Sequence, residues 1–138
     1  MPKRDACHAQ VVNALRKAGW SVTLRAPFLT DEFQNDAYID IEATRAANGT
    51  VVKHIFVEVK CFPEKKDTAA FQRAIGQYIL YRGILDNAGL VVPLYLAVPS
   101  QTFAVYFNRV TLALLAQHQL KLVVVNLDQE EILRWIES

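Results

Sequence analysis

The chain lacks most of the features that would assign it to a class at once. It has only two cysteines, Cys7 and Cys61, in 138 residues, which excludes a small scaffold held by several disulfides and predicts reduced thiols in a cytoplasmic protein. Charge of one sign is also missing. With 15 Lys and Arg against 14 Asp and Glu, the formal net charge is +1, so no global field draws in polyanions or acidic membranes, and any nucleic-acid contact must come from a local patch. No run reaches the roughly 18 apolar residues of a membrane span. The N-terminal stretch Met1-Pro2-Lys3-Arg4-Asp5 leads into a polar, helix-like segment rather than the apolar run of a secretory leader. His8, His54 and His118 stand apart with no partner at zinc-ligand spacing, and no Gly-rich phosphate loop or GxSxG elbow is present. No repeat, low-complexity tract or linker divides the chain. With 52% apolar residues, one domain over residues 1–138 is expected, able to bury roughly two-thirds of its unfolded surface without a structural metal.

What is present reads as alternating elements. Asp5 caps a first helix over residues 5–18, with Ala9, Val12, Leu15 and Trp20 as its apolar stripe and Gly19 as its stop. A short strand follows at Ser21 to Arg25, then a loop from Pro27 to Asn35. Ala37 to Thr44 and Val51 to Cys61 alternate with period two around Asn48-Gly49 and predict an antiparallel hairpin. Residues 67–87 carry Phe71, Ala74, Ile75, Tyr78, Ile79 and Leu85 at helical spacing. After them come an apolar strand Leu90 to Val98, bounded by Gly89 and Pro99, helical material from Gln101 to His118, a strand Lys121 to Asn126 and a last strand near Ile132 to Ile136. The expected class is α/β or α+β, with a mixed sheet flanked by helices.

Register sharpens the hairpin. If the odd-numbered Ile39, Ile41, Ile55, Val57 and Val59 all point to one core, a plain two-residue Asn48-Gly49 loop fails, because it sets Ile39 opposite Glu58. A three-residue loop, Ala47-Asn48-Gly49, with Gly49 left-handed in a bulge and Ala46 paired with Thr50, satisfies the pattern. Asp40, Glu58 and Lys60 then share a face, where a purely structural sheet rarely puts two acids and a lysine; the bland alternative is a solvated face. Two carboxylates on neighbouring strands can hold Mg²⁺ or Mn²⁺ through hard oxygen ligands, and an adjacent ammonium can orient water and stabilise phosphorane-like charge.

Asp40 followed by Glu58-Val59-Lys60 resembles the D…(E)xK signature of the restriction-endonuclease-like nuclease superfamily, whose order of elements, αβββαβ plus C-terminal additions, also matches. The resemblance implies a restriction-endonuclease-like mixed sheet, metal at Asp40 and Glu58, and service to the attacking water by Lys60. On the next helix, Gln77 and Tyr81 are similar to the QxxxY element of RecB-like members, which contacts the site and the substrate strand; core packing is the plainer reading of Tyr81 and still more of Tyr78. Two departures are visible. Ile39 precedes Asp40 where the superfamily often has Pro, and the first helix offers only Asp5 or His8 in place of a catalytic Glu.

Pro2-Lys3-Arg4-Asp5, Gly76-Gln77-Tyr78-Ile79-Leu80-Tyr81-Arg82, Leu94-Tyr95-Leu96-Ala97-Val98-Pro99 and Ile132-Leu133-Arg134-Trp135-Ile136 resemble the XisH family over nearly the whole chain. That resemblance implies a controlling factor for excision of an fdxN-type DNA element, accessory to a site-specific recombinase and working beside a XisI-like companion. DNA, the recombinase and the XisI-like protein are the implied partners, and Mg²⁺ or Mn²⁺ the implied cofactor. Two readings remain open: a metal-dependent endonuclease, and a non-catalytic accessory protein that binds DNA or a protein through the same fold. Lys53, Lys65, Lys66, Arg73 and Arg82 are expected to flank the site; Phe103, Tyr106 and Phe107 are either base-stacking or core residues; His54 is within reach of the acidic face; and Cys61 is expected to be inert.

Overall fold

The computed structural model describes residues 6–24, 28–30 and 36–137, giving backbone alone for 28–30 and 36–38. Asp5, the Pro2–Asp5 motif and most of the expected loop over 27–35 lie outside the described residues, though 28–30 form a strand. The elements are α1 (His8–Lys17), β1 (Ser21–Leu24), β2 (Phe28–Thr30), β3 (Asp36–Tyr38), β4 (Ile41–Ala47), β5 (Thr50–Val59), α2 (Thr68–Asn87), β6 (Leu94–Pro99), α3 (Ser100–Tyr106), α4 (Arg109–Gln117), β7 (Lys121–Asn126) and β8 (Glu131–Ile136). Six strands form one mixed sheet in the order β1-β4-β5-β6-β7-β8, and β2 pairs with β3 as a separate ribbon. The β5–β6 and β6–β7 pairs are parallel and the rest antiparallel. Both parallel steps therefore need helical crossovers, supplied by α2 and by α3 with α4. Among the described residues no helix is long and apolar enough to cross a membrane.

Each face of the sheet has its own core. Val11, Val12, Ala14 and Leu15 of α1 pack on Ile41, Ala43, Ile55, Val57, Val59, Tyr95, Ala97, Val123 and Val125. On the other face, Tyr78, Tyr81, Ile84 and Leu85 of α2, with Tyr106 and Phe107, cover Ile39, Phe56, Leu94, Leu96, Val98 and Leu122. Tyr106 and Phe107 are thus core residues, and Tyr106 OH ties down the loop before α2 by donating to Pro63 O at 2.7 Å.

The hairpin corrects the expected turn. Ala47 pairs with Thr50, so Asn48-Gly49 is a two-residue loop with both φ angles positive, 53° and 79°, the condition of a type I′ turn. The even register survives because a bulge intervenes: Arg45 pairs with Lys53 but Ala46 with Val51, which leaves Val52 as the additional residue. Ile39 and Ile41 also do not share a core. The strand breaks at Ile39-Asp40, so Ile39 enters the α2-side core and Ile41 the α1-side core.

Three other expectations fall to specific contacts. Residues 90–93 are not strand, because the Arg82 guanidinium takes the carbonyls of Leu90 and Val92 at 2.9 and 2.6 Å and Pro93 has no N–H to give; Val91 is 93% exposed. Helix 101–118 is broken at Phe107, whose backbone is extended, and restarts where the Asn108 side chain accepts from Thr111 N at 2.9 Å. The two cysteines are not separate thiols. Cys7 and Cys61, 54 residues apart, are joined as a disulfide with their Cα atoms 5.9 Å apart, linking α1 to the end of β5.

Helices α1, α2 and α4 close alike, with Trp20 N, Leu90 N and Leu120 N returning to Leu15 O, Leu85 O and Leu115 O through left-handed residues at 19, 89 and 119. Position 119 is glutamine, with φ 54°. Gln119→Gly is therefore expected to raise stability by about 0.5–1 kcal/mol, the left-handed penalty relieved less the added freedom of the unfolded chain. Gly49→Ala is expected to lower it by about 1–2 kcal/mol through backbone strain alone, because a Cβ there meets nothing within 4 Å. Urea unfolding of the two variants beside the parent checks both signs.

Candidate active site

Glu58 lies in β5, the strand flanked by β4 on one side and β6 on the other. Phe56 and Lys60 donate their N–H groups to Pro93 O and Ala97 O, at 2.8 and 3.0 Å, so the even-numbered residues bond toward β6 and the odd-numbered ones toward β4. At Val59 the β4 ladder has already ended. Its N–H is taken instead by the side chain of Asp40, which accepts at 2.9 Å through Oδ2. The break at Ile39-Asp40 thus aims the Asp40 carboxylate across the gap at the Glu58-Val59 peptide.

Glu58 is only 4% exposed, under the layer that contains α2. Its Oε1 is buried with no hydrogen-bond partner among the described residues. Burial raises its pKa from 4.5 to about 10; a hydrogen bond with the Asp40 side chain and the Asp40 charge push in the same direction, and the Lys60 ammonium only partly opposes them. Burial and the neighbouring Asp40 thus hold the Glu58 carboxyl toward its protonated, neutral form. A solvated face is therefore not what this sheet presents. An orphaned buried carboxyl oxygen costs stability, and such groups concentrate where chemistry is done.

Lys60 and Cys61 open into a cavity of about 190 Å³ lined also by Phe62, Pro63, Ala70, Arg73 and Ala74. Ala70, Arg73 and Ala74 come from the first turns of α2, a helix started where Asp67 accepts from Ala70 N at 3.0 Å. One turn further along, Gln77 Nε2 donates to Tyr81 OH at 3.0 Å. Tyr81 is buried in the α2-side core, and β2 and β3 lie against the same helix. Asp40, Glu58 and Lys60 are brought together, whereas Gln77 and Tyr81 form their own pair on α2.

Of the cations expected to flank this group, Arg73 alone lines the cavity with Lys60. Lys53 sits on the opposite face of the sheet beside Trp20, Tyr95 and Trp135, Arg82 is held by Asp86, Leu90 O and Val92 O, and Lys66 lines a separate groove between α2 and α4. His54 is engaged by Glu42 at 2.6 Å and does not join the acids. His8 is buried at the start of α1. The residue that sequence reasoning undervalued is Cys61, which lies in the wall of the cavity.

Asp40 and Glu58 make an all-oxygen donor pair suited to a hard divalent cation. An ion there would displace the Glu58 proton and engage the orphaned Oε1, so the residues present fit Mg²⁺ or Mn²⁺. Among the described residues no third His, Cys, Asp or Glu completes a metal-holding group, and the remaining ligands would be water, as Mg²⁺ usually retains.

The sequence matches the XisH protein family over residues 1–133. Among solved structures, it resembles an XisH family protein from Nostoc punctiforme, at 34% identity and a TM-score of 0.80, over 96% of this chain and 99% of the other. It resembles equally an fdxN element excision controlling factor protein from Anabaena variabilis, at 32% identity and a TM-score of 0.80, over the same shares. Among curated proteins nothing matches.

A carboxyl whose folded pKa lies above its unfolded value stabilises the fold at low pH and loses that contribution as pH rises. For metal-free protein the Glu58 contribution is full below about pH 4.5 and is lost by about pH 10. Glu58→Gln, neutral and of the same shape, is expected to remove this slope and to match or exceed the parent Tm at pH 8. Thermal unfolding in EDTA between pH 5 and 9 tests it; a Tm well below the parent's at pH 8 would show that an ionised Glu58 supports the fold.

Proposed function

The chain belongs to the XisH family, and from that premise we propose that it serves as a controlling factor in excision of a DNA element, with Asp40, Glu58 and Lys60 as a metal-dependent phosphodiester site. The observation that carries the reading is the Glu58 carboxyl, buried and orphaned at one oxygen, in hydrogen-bond contact with Asp40 and close to Lys60. Asp40 also satisfies Val59 N–H, but the fold draws no such benefit from a buried carboxyl at Glu58, and groups of that kind concentrate at functional sites. The resemblance of these residues to the D…(E)xK pattern adds to it.

In this reading Asp40 and Glu58 hold the cation. A bound Mg²⁺ or Mn²⁺ supplies Lewis acidity at a phosphodiester oxygen and acidifies a ligated water. The chain's own residues do the rest. Lys60, just past the end of the strand that carries Glu58, presents its ammonium to the scissile phosphate and the attacking water, and Arg73 offers a planar fork to a neighbouring phosphate across the same cavity. The Gln77–Tyr81 pair, one turn beyond Arg73, positions the substrate strand. The layer over Glu58 keeps bulk water from its carboxyl, which strengthens every charge interaction made there.

The second reading, a non-catalytic factor that binds DNA, a recombinase or a XisI-like protein, is favoured by the two-acid donor set, which leaves an ion mainly water-ligated. The two separate in one assay: conversion of supercoiled plasmid to nicked and linear forms with Mg²⁺ or Mn²⁺, set beside calorimetric Mn²⁺ binding. Lys60→Ala is expected to lower cleavage at least 100-fold while Mn²⁺ still binds, whereas Asp40→Asn loses both, the size expected when a charge-stabilising group is removed. Mn²⁺ binding without cleavage on any DNA form would exchange the first reading for the second. Absence of both, in folded protein, overturns the site.

A further inference from the structure

The chain's only two cysteines are joined to each other, and one of them borders the cavity that Lys60 lines. Cys61 directly follows Lys60, and both line the 190 Å³ cavity with Arg73 and Ala74. Cys7 immediately precedes α1 and is 4% exposed, while Cys61 is only partly buried. Besides the disulfide, Cys7 N donates to Cys61 Sγ at 3.0 Å. The last sheet bond near the end of β5 is Lys60 N to Ala97 O. From there to Asp67 the chain is irregular, anchored by the buried Phe62, which stacks on Tyr106 with ring centroids 4.5 Å apart, and by the bond to Cys7.

We propose that Cys7–Cys61 is a reversible thiol–disulfide clip that sets the position of Lys60 in the cavity, so that the site is ordered when the pair is oxidised and loosened when it is reduced. The inference rests, for its effect on DNA, on the reading of Asp40, Glu58 and Lys60 as a phosphodiester site. The exposure asymmetry assigns the roles. Cys61, the more exposed of the two, is the entry sulfur, and Cys7, buried at the start of α1, resolves the intermediate.

With a low-molecular-weight disulfide RSSR as oxidant, the Cys61 thiol forms a bond to one sulfur of RSSR, giving Cys61–S–SR and releasing RSH with the thiol's proton. The Cys7 thiol then forms a bond to Cys61 Sγ, the S–SR bond breaks, and a second RSH leaves with the second proton. Two electrons pass from the cysteine pair to RSSR. A dithiol or two equivalents of RSH reverse both steps, with attack first on Cys61.

The oxidised pair joins two points 54 residues apart in sequence and couples the start of α1, on one face of the sheet, to a site on the other. Reduction removes the covalent restraint on the residue next to Lys60 while leaving Phe62 packed in the core. The effect should be local: greater freedom at Ala6 to Val12 and Lys60 to Lys66, with the rest of the sheet unchanged.

The test uses the full chain, equilibrated with glutathione disulfide or with dithiothreitol and compared by mass after thiol alkylation, by hydrogen exchange and by Mn²⁺-dependent plasmid cleavage. The expected result is complete reversal between no alkylated thiols and two, and exchange at 60–66 at least fivefold faster in the reduced form. Cleavage is expected at least fivefold faster in the oxidised form. Cys7→Ser should show the fast exchange and the lower cleavage rate in both buffers. If cleavage is absent in both forms but exchange at 60–66 still follows redox state, the phosphodiester reading fails and the clip stands. If the two forms exchange alike at 60–66 and cleave alike, the clip is overturned and the phosphodiester reading is untouched. Reduction that unfolds the whole chain, or a disulfide that forms only between chains, also overturns the clip.

Discussion

The hydrogen bond from Val59 N–H to Asp40 Oδ2 is the constraint on which sheet and site both depend. β5 must serve two neighbours at once, antiparallel β4 and parallel β6. β4 begins only at Ile41, so a β5 donor is left over where the hairpin ladder ends. A buried N–H with no acceptor costs about 1–3 kcal/mol, and the Asp40 side chain supplies the missing acceptor. The carboxylate placed to do this also faces Glu58. Asp40 is therefore structural and chemical together, and its amide variant, which keeps an oxygen acceptor, separates the two roles better than truncation to alanine.

Glu58 shows the opposite balance. Nothing in the sheet needs a carboxyl at that position, where its neighbours Val57 and Val59 are buried aliphatics. Burial under the helical layer makes its ionised form costly, and the nearby Asp40 adds to that cost. A neutral, hydrogen-bonded carboxyl is the least costly resting state. A divalent cation would reverse the preference by replacing one proton with two charges, and proton release would accompany binding. Strand β5 thus keeps a group that destabilises the metal-free fold, the pattern expected where function competes with stability.

Much of this architecture is legible in the residues because its elements are set locally. β7 occupies residues 121–126, the strand expected of the run Leu122 to Val125, and α2 begins one residue after its expected start because Asp67 serves as the cap rather than the first helical residue. The even hairpin register, which a bulge at Val52 and not the turn produces, sets Ile41 opposite Val57 and so brings Asp40 to the ladder's end near Glu58, where the break at Ile39-Asp40 aims it. The remaining features depend on partners distant in sequence. No local pattern shows that Arg82 will capture the carbonyls of Leu90 and Val92, or that Cys7 will lie beside Cys61. Nor does alternation reveal the break at Ile39-Asp40, because Ile39 and Ile41 fit one face in the sequence while packing into opposite cores in the fold.

Electrostatics bear on what the proposed role can be. A net charge of +1 gives no long-range attraction for DNA, and among the described residues three cations are engaged elsewhere: Arg82 on backbone carbonyls, Arg45 over the Trp20 ring and Lys53 on the far face. Lys60 and Arg73 are the cations of the cavity itself. Two cations there engage about as many phosphates, a small part of the charge contact through which proteins hold duplex DNA. The charge of the cavity therefore serves a reacting phosphate more than it serves affinity, and contacts that hold a duplex have to lie outside it.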